Sequence, residues 1–181
     1  MKTHIKTAII GMIFSLFMFP GFLSAQEDER TETYYTGYTN GLGLRFGTDL
    51  GITFKHFYKP STAWEGIISS GYKAFDFTFL WEKHMNAFQT AGMNFFYGGG
   101  AHAGFFERRI NVHYDPYYYY YTYYSYPSFG LVGIIGLEYK IPPIPFTVGV
   151  DLKPVVDFYY PGYSFLEGAL TVRYVFHENG D

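Results

Sequence analysis

The sequence predicts an all-β protein: an eight-stranded antiparallel up-and-down transmembrane β-barrel, preceded by a cleaved signal peptide. Apolar and polar residues alternate with a period of two over eight segments, which is typical of strands with one apolar and one polar face. After the N-terminal region, no stretch approaches the ~18–20 apolar residues of a membrane helix. The polar faces are rich in glycine and in charges of both signs, which suits the crowded interior of a small barrel.

Composition narrows the class of protein. The chain has 181 residues, 23% aromatic and 16% charged, against about 25% charged in ordinary soluble domains. This length suggests one domain. The mean hydropathy of −0.05 excludes a polytopic helical membrane protein, and the net charge of −3 excludes a nucleic-acid binder built on a basic surface. The absence of cysteine excludes disulfide scaffolds, thiolate zinc sites, thiol nucleophiles and lipid anchoring through a cysteine.

The N-terminus has the layout of an export signal. Lys2 and Lys6 precede an apolar stretch over residues 8–23, and a small residue, Ala25, then precedes a polar segment. This order predicts a signal peptide cleaved after Ala25. An uncleaved membrane anchor is the alternative, although Pro20 and Gly21 interrupt the stretch. The predicted divisions are a signal peptide over 1–25, a short periplasmic segment over 26–37, the barrel over 38–176 and a C-terminal tail over 177–181.

Eight segments carry the alternation. It is clearest over residues 75–84, 146–153 and 167–176, and weaker over 41–47, 51–58, 64–72, 94–106 and 129–140. A soluble secreted β-fold also alternates, so it remains the alternative. The even strand number and aromatic residues at the ends of the apolar faces favour the membrane barrel, because barrels carry an aromatic girdle at each interface. The predicted girdle residues are Trp64, Tyr72, Trp81, Tyr139 and Tyr174.

The connections predict an orientation. Eight strands put both chain termini on one side, which is the periplasm in bacterial barrels, whose longer loops lie outside. The turns over 59–62, 85–93 and 141–145 then face the periplasm. The outer connections are those at 48–49, near Lys73, over 107–128 and over 158–166. The longest connection, 107–128, falls on the outer side.

Several motifs resemble a known family. The segments are Gly41–Arg45, Trp64–Ser69, Phe96–His102, Gly133–Lys140 and Gly149–Pro154. They resemble the small outer-membrane β-barrel proteins of Bacteroidota, and more broadly the OmpA- and OmpX-like eight-strand barrels. The resemblance covers nearly all of the chain after the signal peptide. It implies an outer-membrane location and says little about activity.

Nine charged residues fall on the polar, lumen-facing positions. Five are acidic and four are basic, close to balance, and unpaired charge inside a narrow lumen would be costly. The sequence therefore predicts a structural network of ion pairs that plugs the barrel, and a narrow pore is the alternative. The network comprises Arg45, Lys55, Glu65, Asp76, Glu82, Glu138, Asp151, Lys153 and Arg173.

No catalytic site, cofactor or metal site is predicted. His56 faces the lipid with no serine or acid alternating beside it, so a hydrolase triad is not formed there. Glu82, His84 and His102 all face inward, but two imidazoles make a weak metal set, and hydrogen-bonded buried histidines are the favoured interpretation.

The longest connection contains a tyrosine tract, and tyrosine gives a large amphipathic contact area at low entropic cost. We interpret it as a possible extracellular contact surface for glycan, lipopolysaccharide or a partner protein; the alternative is a tract that only extends the sheet beyond the membrane. Two arginines beside it could meet lipid phosphates or serve as ordinary solvated residues. The residues are Arg108, Arg109, Tyr117, Tyr118, Tyr119, Tyr120, Tyr121, Tyr123 and Tyr124.

The leading functional hypothesis is a non-enzymatic outer-membrane protein with a structural or surface-contact role. An accessory subunit of a larger outer-membrane complex is the alternative, followed by a narrow pore. The expected partners are outer-membrane lipids and lipopolysaccharide, with another outer-membrane protein or a surface glycan as further candidates. Nucleic acid is not expected, and the chain is expected to be a monomer.

Overall fold

Eight antiparallel strands close into a barrel in the computed structural model. The structure describes residues 37–71, 75–115, 118–158 and 164–176. Each strand pairs with the next along the chain, and β1 pairs with β8 to close the sheet. The prediction of an all-β, closed, eight-stranded antiparallel barrel is confirmed. The strands are β1 (Asn40–Gly47), β2 (Asp49–Lys59), β3 (Thr62–Gly71), β4 (Phe75–Asn86), β5 (Met93–Asp115), β6 (Tyr118–Ile141), β7 (Phe146–Asp157) and β8 (Ser164–Phe176).

The predicted signal peptide (1–25) and C-terminal tail (177–181) lie outside the described residues, as does all of the predicted periplasmic segment except residue 37. Those divisions stay predictions. Within the described ranges, no helix is long and apolar enough to cross a membrane.

The pleat of each strand sorts side chains between the two surfaces of the barrel. On β4, the outward residues Phe75, Phe77, Phe79 and Trp81 are between 44% and 49% exposed. Their inward neighbours Asp76, Thr78, Leu80 and Glu82 are at most 1% exposed. Because successive residues of a strand point to opposite faces, the period of two in the sequence becomes an apolar exterior and a largely polar interior.

The strand register fixes the two ends of the barrel. Asn40, at the start of β1, pairs with Phe176, at the end of β8. We call this the termini end and its opposite the far end. Odd-numbered strands run towards the far end, so the β5–β6 connection lies there. The connections β2–β3, β4–β5 and β6–β7 lie at the termini end and are short.

The longest connection differs from the prediction. Residues 107–128 were expected to form a loop, but β5 continues to Asp115 and β6 starts at Tyr118. Pairing of β4 with β5 reaches Phe105, and pairing of β6 with β7 reaches Gly130. Nine further β5–β6 pairs follow, from Phe106↔Tyr126 to Asp115↔Tyr118. The loop prediction is wrong because tyrosine, threonine and β-branched residues favour strands, and each strand satisfies the backbone of the other.

Strand β7 ends later than predicted, and strand β8 starts earlier than predicted. The prediction ended β7 at Lys153, before a proline, and began β8 at Glu167. In the structure Pro154 pairs with Leu166 of β8. On the edge of β7 that pairs with β6, the ladder passes from Val132↔Val155 to Ile135↔Leu152, and Pro154 has no paired residue there. Proline lacks the N–H that a ladder needs, so it interrupts one ladder without ending the strand.

Glycines leave room for large side chains inside the barrel. A Cβ atom on Gly136 would lie 2.5 Å from the ring carbon Cζ of Phe96, and one on Gly43 would lie 2.5 Å from Cγ of Arg173. Both glycines sit on the inward face, next to residues that cross the lumen. Small residues opposite large ones let the interior of a narrow barrel fill.

Candidate functional site

Five charged side chains meet inside the barrel near the termini end. Three are carboxylates and two are cations, they come from five different strands, and each is at most 2% exposed. We call this set the termini-end cluster: Lys55 on β2, Glu65 on β3, Glu82 on β4, Glu138 on β6 and Arg173 on β8.

The two cations bridge the three carboxylates. One guanidinium nitrogen of Arg173 lies 2.5 Å from Glu138, and the other lies 2.5 Å from Glu65. The Nζ atom of Lys55 lies 2.7 Å from Glu82, 3.0 Å from Glu65 and 3.9 Å from Glu138. Every carboxylate of the cluster therefore lies within ion-pair distance of at least one cation. The charges tie five strands together across the lumen.

Uncharged and aromatic groups complete the termini-end cluster. The hydroxyl of Tyr38 donates to Glu138 at 2.6 Å, and the hydroxyl of Thr53 donates to Glu65. His84 Nε2 lies 3.0 Å from Glu82. The imidazole of His84 also packs against two phenyl rings, with centroids 4.7 Å from Phe57 and 5.1 Å from Phe96, and the ammonium of Lys55 lies 4.4 Å from the centroid of Phe96.

A second set of charges lies towards the far end. Arg45 forms a two-pronged contact with Asp151, with N–O distances of 2.5 and 2.6 Å. Lys153 Nζ lies 2.7 Å from Glu167. Asp76 accepts a 3.0 Å hydrogen bond from Thr78 and lies 2.9 Å from His102 Nδ1. All nine residues of the predicted network thus lie buried inside the barrel with polar contacts to one another or to neighbours.

An apolar cluster shares the lumen with these charges. It consists of six buried side chains on β3 to β7: Ile67, Leu80, Phe96, Val132, Ile134 and Val155. On β4, Leu80 lies between Thr78, next to the far-end set, and Glu82 of the termini-end cluster. A second cluster, Tyr38, Phe57, Ala63 and Val175, lies nearer the termini end. Alternating polar and apolar contacts therefore fill the interior.

Sequence reasoning missed several of these residues. Tyr38 precedes β1 and belongs to no alternating segment, so no signal pointed to it. Glu167 was on the polar face of the predicted last strand, and counting back in twos from Arg173 could have placed it with the lumen charges. The inward positions of Phe57 and Phe96 were not assigned, although counting in twos from Lys55 and from His102 places both on the inward face.

The predicted girdle residues that the structure describes lie on the outer surface. Trp81 and Tyr174 are each 49% exposed, and Trp64 and Tyr139 are partly exposed. The indole N–H of Trp81 donates to the hydroxyl of Tyr58 at 2.7 Å. Tyr72 lies outside the described residues.

The predicted contact residues fall on the extended β5–β6 hairpin. Arg108 pairs with Tyr124 and Arg109 pairs with Tyr123 in the register of the two strands. Tyr118 to Tyr121 follow on β6 towards the tip, and Tyr117 lies outside the described residues. The sequence prediction placed the arginines and the tyrosines in one loop, and the structure pairs them across two strands instead.

Three histidines whose side chains the structure describes contact other side chains. His84 lies beside Glu82, and His102 lies beside Asp76. The outward-facing His56 lies 2.8 Å from the side-chain oxygen of Asn40 and packs against Trp64. Within the described ranges, no group of three histidine or acidic side chains has the geometry of a metal site.

No protein-family model and no curated protein sequence matches this chain. Among solved structures, the chain is similar to the N-terminal β-barrel domain of OprF from Pseudomonas aeruginosa, with a TM-score of 0.55 and 10% sequence identity. The match covers 76% of this chain and 95% of that domain. At this identity the likeness concerns the fold, and it agrees with the closed eight-strand antiparallel barrel described above.

Proposed function

We propose that this chain is an outer-membrane protein whose barrel anchors it in the bilayer and whose long β5–β6 hairpin is displayed outside the cell. Its role is structural or one of surface contact, without catalysis. The observation that carries the proposal is the inverted distribution of polarity: charged side chains are buried in the lumen while large apolar side chains cover the exterior.

The exterior supports a lipid environment. Leu42, Leu44, Ile52, Val150 and Leu170 come from four strands, and each is about half exposed on the outer surface. Soluble monomers rarely expose contiguous apolar patches of more than a few hundred Å². A closed barrel also satisfies its own backbone hydrogen bonds, which is what a bilayer demands of a β-structure. Outward aromatics such as Trp81 suit the interface.

The interior supports a closed lumen. Arg173 and Lys55 bridge three carboxylates across it, and the apolar side chains around Leu80 and Ile67 fill space beside them. An eight-strand barrel is just wide enough for its side chains to fill. We therefore favour an anchor with a packed interior over a narrow pore.

The strand directions support display of the hairpin. The β5–β6 connection lies at the far end, opposite the barrel termini. Bacterial outer-membrane barrels keep short turns in the periplasm and longer connections outside. The hairpin, with its paired arginines and tyrosines, is then the part of the described chain that reaches furthest towards other molecules.

Protease treatment of intact cells tests location and orientation together. We expect the protein to stay with outer membranes after washing with urea, and external protease to cut only within residues 106–128. Fragments should carry an intact barrel. Release of the protein by urea without detergent would contradict membrane insertion. Cleavage at the C-terminal tail, with the hairpin intact, would contradict the orientation.

A further inference from the structure

Two lysines lie in one row on the outer surface of the barrel, at the termini end. Lys59 pairs with Thr62 across β2 and β3. Thr62 pairs with Lys83 on β4, which pairs in turn with Tyr97 on β5. Residues directly opposite in an antiparallel pair share a face, and Lys83 follows the outward Trp81 by two positions, so the whole row is outward. We call Lys59, Thr62, Lys83 and Tyr97 the lysine row.

The outer surface next to the lysine row changes character towards the middle of the barrel. The adjoining row is aromatic, with His56 paired to Trp64 and Trp64 paired to Trp81. The row after it is apolar, with Phe54 and Phe79 on either side of a glycine. On β4 these rows are four positions, or about 13 Å, apart from first to last. A cationic, an aromatic and an apolar zone therefore follow one another in the order of a bilayer's phosphates, interface and acyl chains.

The described outer surface carries no carboxylate. Every acidic residue whose side chain the structure describes occupies an inward strand position. These residues are Asp49, Glu65, Asp76, Glu82, Glu138, Asp151, Asp157 and Glu167. Lys59 is exposed and Lys83 is partly exposed, and neither has a carboxylate partner among the described side chains. An anionic group can therefore approach both ammonium groups without displacing a carboxylate.

We propose that the lysine row and the aromatic row beside it bind the headgroup of an anionic phospholipid in the periplasmic leaflet. The inference rests on the proposed function, since it requires the barrel in the membrane with its termini end towards the periplasm. Lys59 and Lys83 start about 10 Å apart, two strand spacings, and their flexible stems let both ammonium groups reach one phosphate. The indoles of Trp64 and Trp81 lie at the interface below it.

The sign of the charge and the place of the row select this ligand. A molecule with an anionic head and acyl chains matches a cationic row that continues into an apolar surface. A zwitterionic phospholipid brings its own cation, which two lysines on a surface without carboxylates disfavour. Lipopolysaccharide also carries phosphate, but it occupies the outer leaflet, which the far end of the barrel faces in the proposed orientation.

The two tryptophans of the chain provide a built-in probe. Trp64 and Trp81 are its only tryptophans, and both lie in the row next to the lysines. Lipids with bromine on their acyl chains quench tryptophan fluorescence only at close range. The full mature chain is placed in vesicles of equal parts phosphatidylcholine and phosphatidylglycerol, and the bromine is carried by one lipid or the other in separate samples. The ratio of the two quenching efficiencies gives the enrichment of the anionic lipid beside the tryptophans.

We expect phosphatidylglycerol to be enriched beside the tryptophans of the unmodified protein. Lys83→Gln should reduce the enrichment about fivefold, which corresponds to about 1 kcal/mol for one lysine near an anionic membrane surface. Lys83→Arg keeps the charge and should keep the enrichment. The enrichment should also fall in about 1 M salt, where the screening length is about 3 Å.

Lys140→Gln is the matched control. It also removes one cation from the termini end, but Lys140 belongs to the inward face, where it pairs with the buried Thr147, and its Nζ atom lies 3.1 Å from the carbonyl oxygen of Ile144. It should change the enrichment by less than about twofold, because its charge lies on the other side of the sheet and is screened over about 10 Å.

Equal quenching by the two brominated lipids would overturn the inference and leave the proposed function standing, since quenching itself requires the tryptophans to face lipid. Absence of quenching by either lipid would contradict the membrane location and the inference with it. Equal loss of enrichment in Lys83→Gln and Lys140→Gln would overturn the assignment to the lysine row. Stronger displacement of brominated phosphatidylglycerol by lipid A than by unlabelled phosphatidylglycerol would overturn the phospholipid as the ligand.

Discussion

Arg173 bridges two carboxylates of the lumen at 2.5 Å each, and its removal is the sharpest test of the charge network. Arg173→Ala deletes two contacts of 2.5 Å, to Glu65 and to Glu138. Lys55 then faces three buried carboxylates alone, and its distance to Glu138 is 3.9 Å. Leaving a buried charge uncompensated costs about 3–5 kcal/mol. Since small domains are stable by about 5–15 kcal/mol, this loss is a large fraction of the total.

The assay is reversible urea unfolding in lipid vesicles, followed by tryptophan fluorescence. Trp64 and Trp81 both lie on the outer surface, so under the proposed membrane location unfolding moves them out of lipid. We expect Arg173→Ala to lower the free energy of unfolding by about 3–5 kcal/mol. The double variant R173A/E138A removes one stranded carboxylate and should be less destabilised than the sum of the single variants, because partners in one network couple by about 0.5–3 kcal/mol. A cost below about 1 kcal/mol, or strict additivity of the two changes, would refute the network as a source of stability.

Three further predictions concern the outer face, the packing and the lumen. Val150→Arg should lower the free energy of unfolding by about 2–4 kcal/mol, because it places a cation on the lipid face; Val150→Leu is the control, and equal stability of the two variants would contradict a lipid-facing position. Gly136→Ala should cost about 1–3 kcal/mol by overpacking against Phe96, whereas Gly66→Ala, where an added Cβ meets nothing within 4 Å, should not destabilise; a reversed order would contradict the packing described. The purified protein should show no stable conductance in planar bilayers, and reproducible ion-selective channels would favour the pore.

Most of the fold could be predicted from the alternation of apolar and polar residues with a period of two. Residues 75–84 and 146–153 alternate so regularly that strand, face and lumen position all followed from the sequence. The nine lumen charges could be named because charge on the polar face of a narrow barrel has nowhere else to lie. Their partners could not be named, since the contact of Arg45 with Asp151 depends on the shear of the closed barrel and not on spacing within a strand.

Other features needed the three-dimensional structure. Tyr38 enters the lumen from outside any alternating segment, and its bond to Glu138 joins residues that are 100 positions apart. The tyrosine tract was assigned to a loop because its two faces carry similar residues, which hides the period of two. The register of β5 with β6 shows that the tract is a paired strand.

Site-directed labelling along β7 most directly tests whether the apolar exterior of the barrel faces lipid. The chain contains no cysteine, so single cysteines can be placed at each position from 146 to 153 and spin-labelled in lipid vesicles. We predict that collision with oxygen, which concentrates in the bilayer, is high at positions 146, 148, 150 and 152 and low at the alternate positions. Collision with a water-soluble nickel complex should be low at positions 148 and 150. High nickel accessibility at those outward positions would contradict a lipid-facing exterior and with it the proposed membrane anchor.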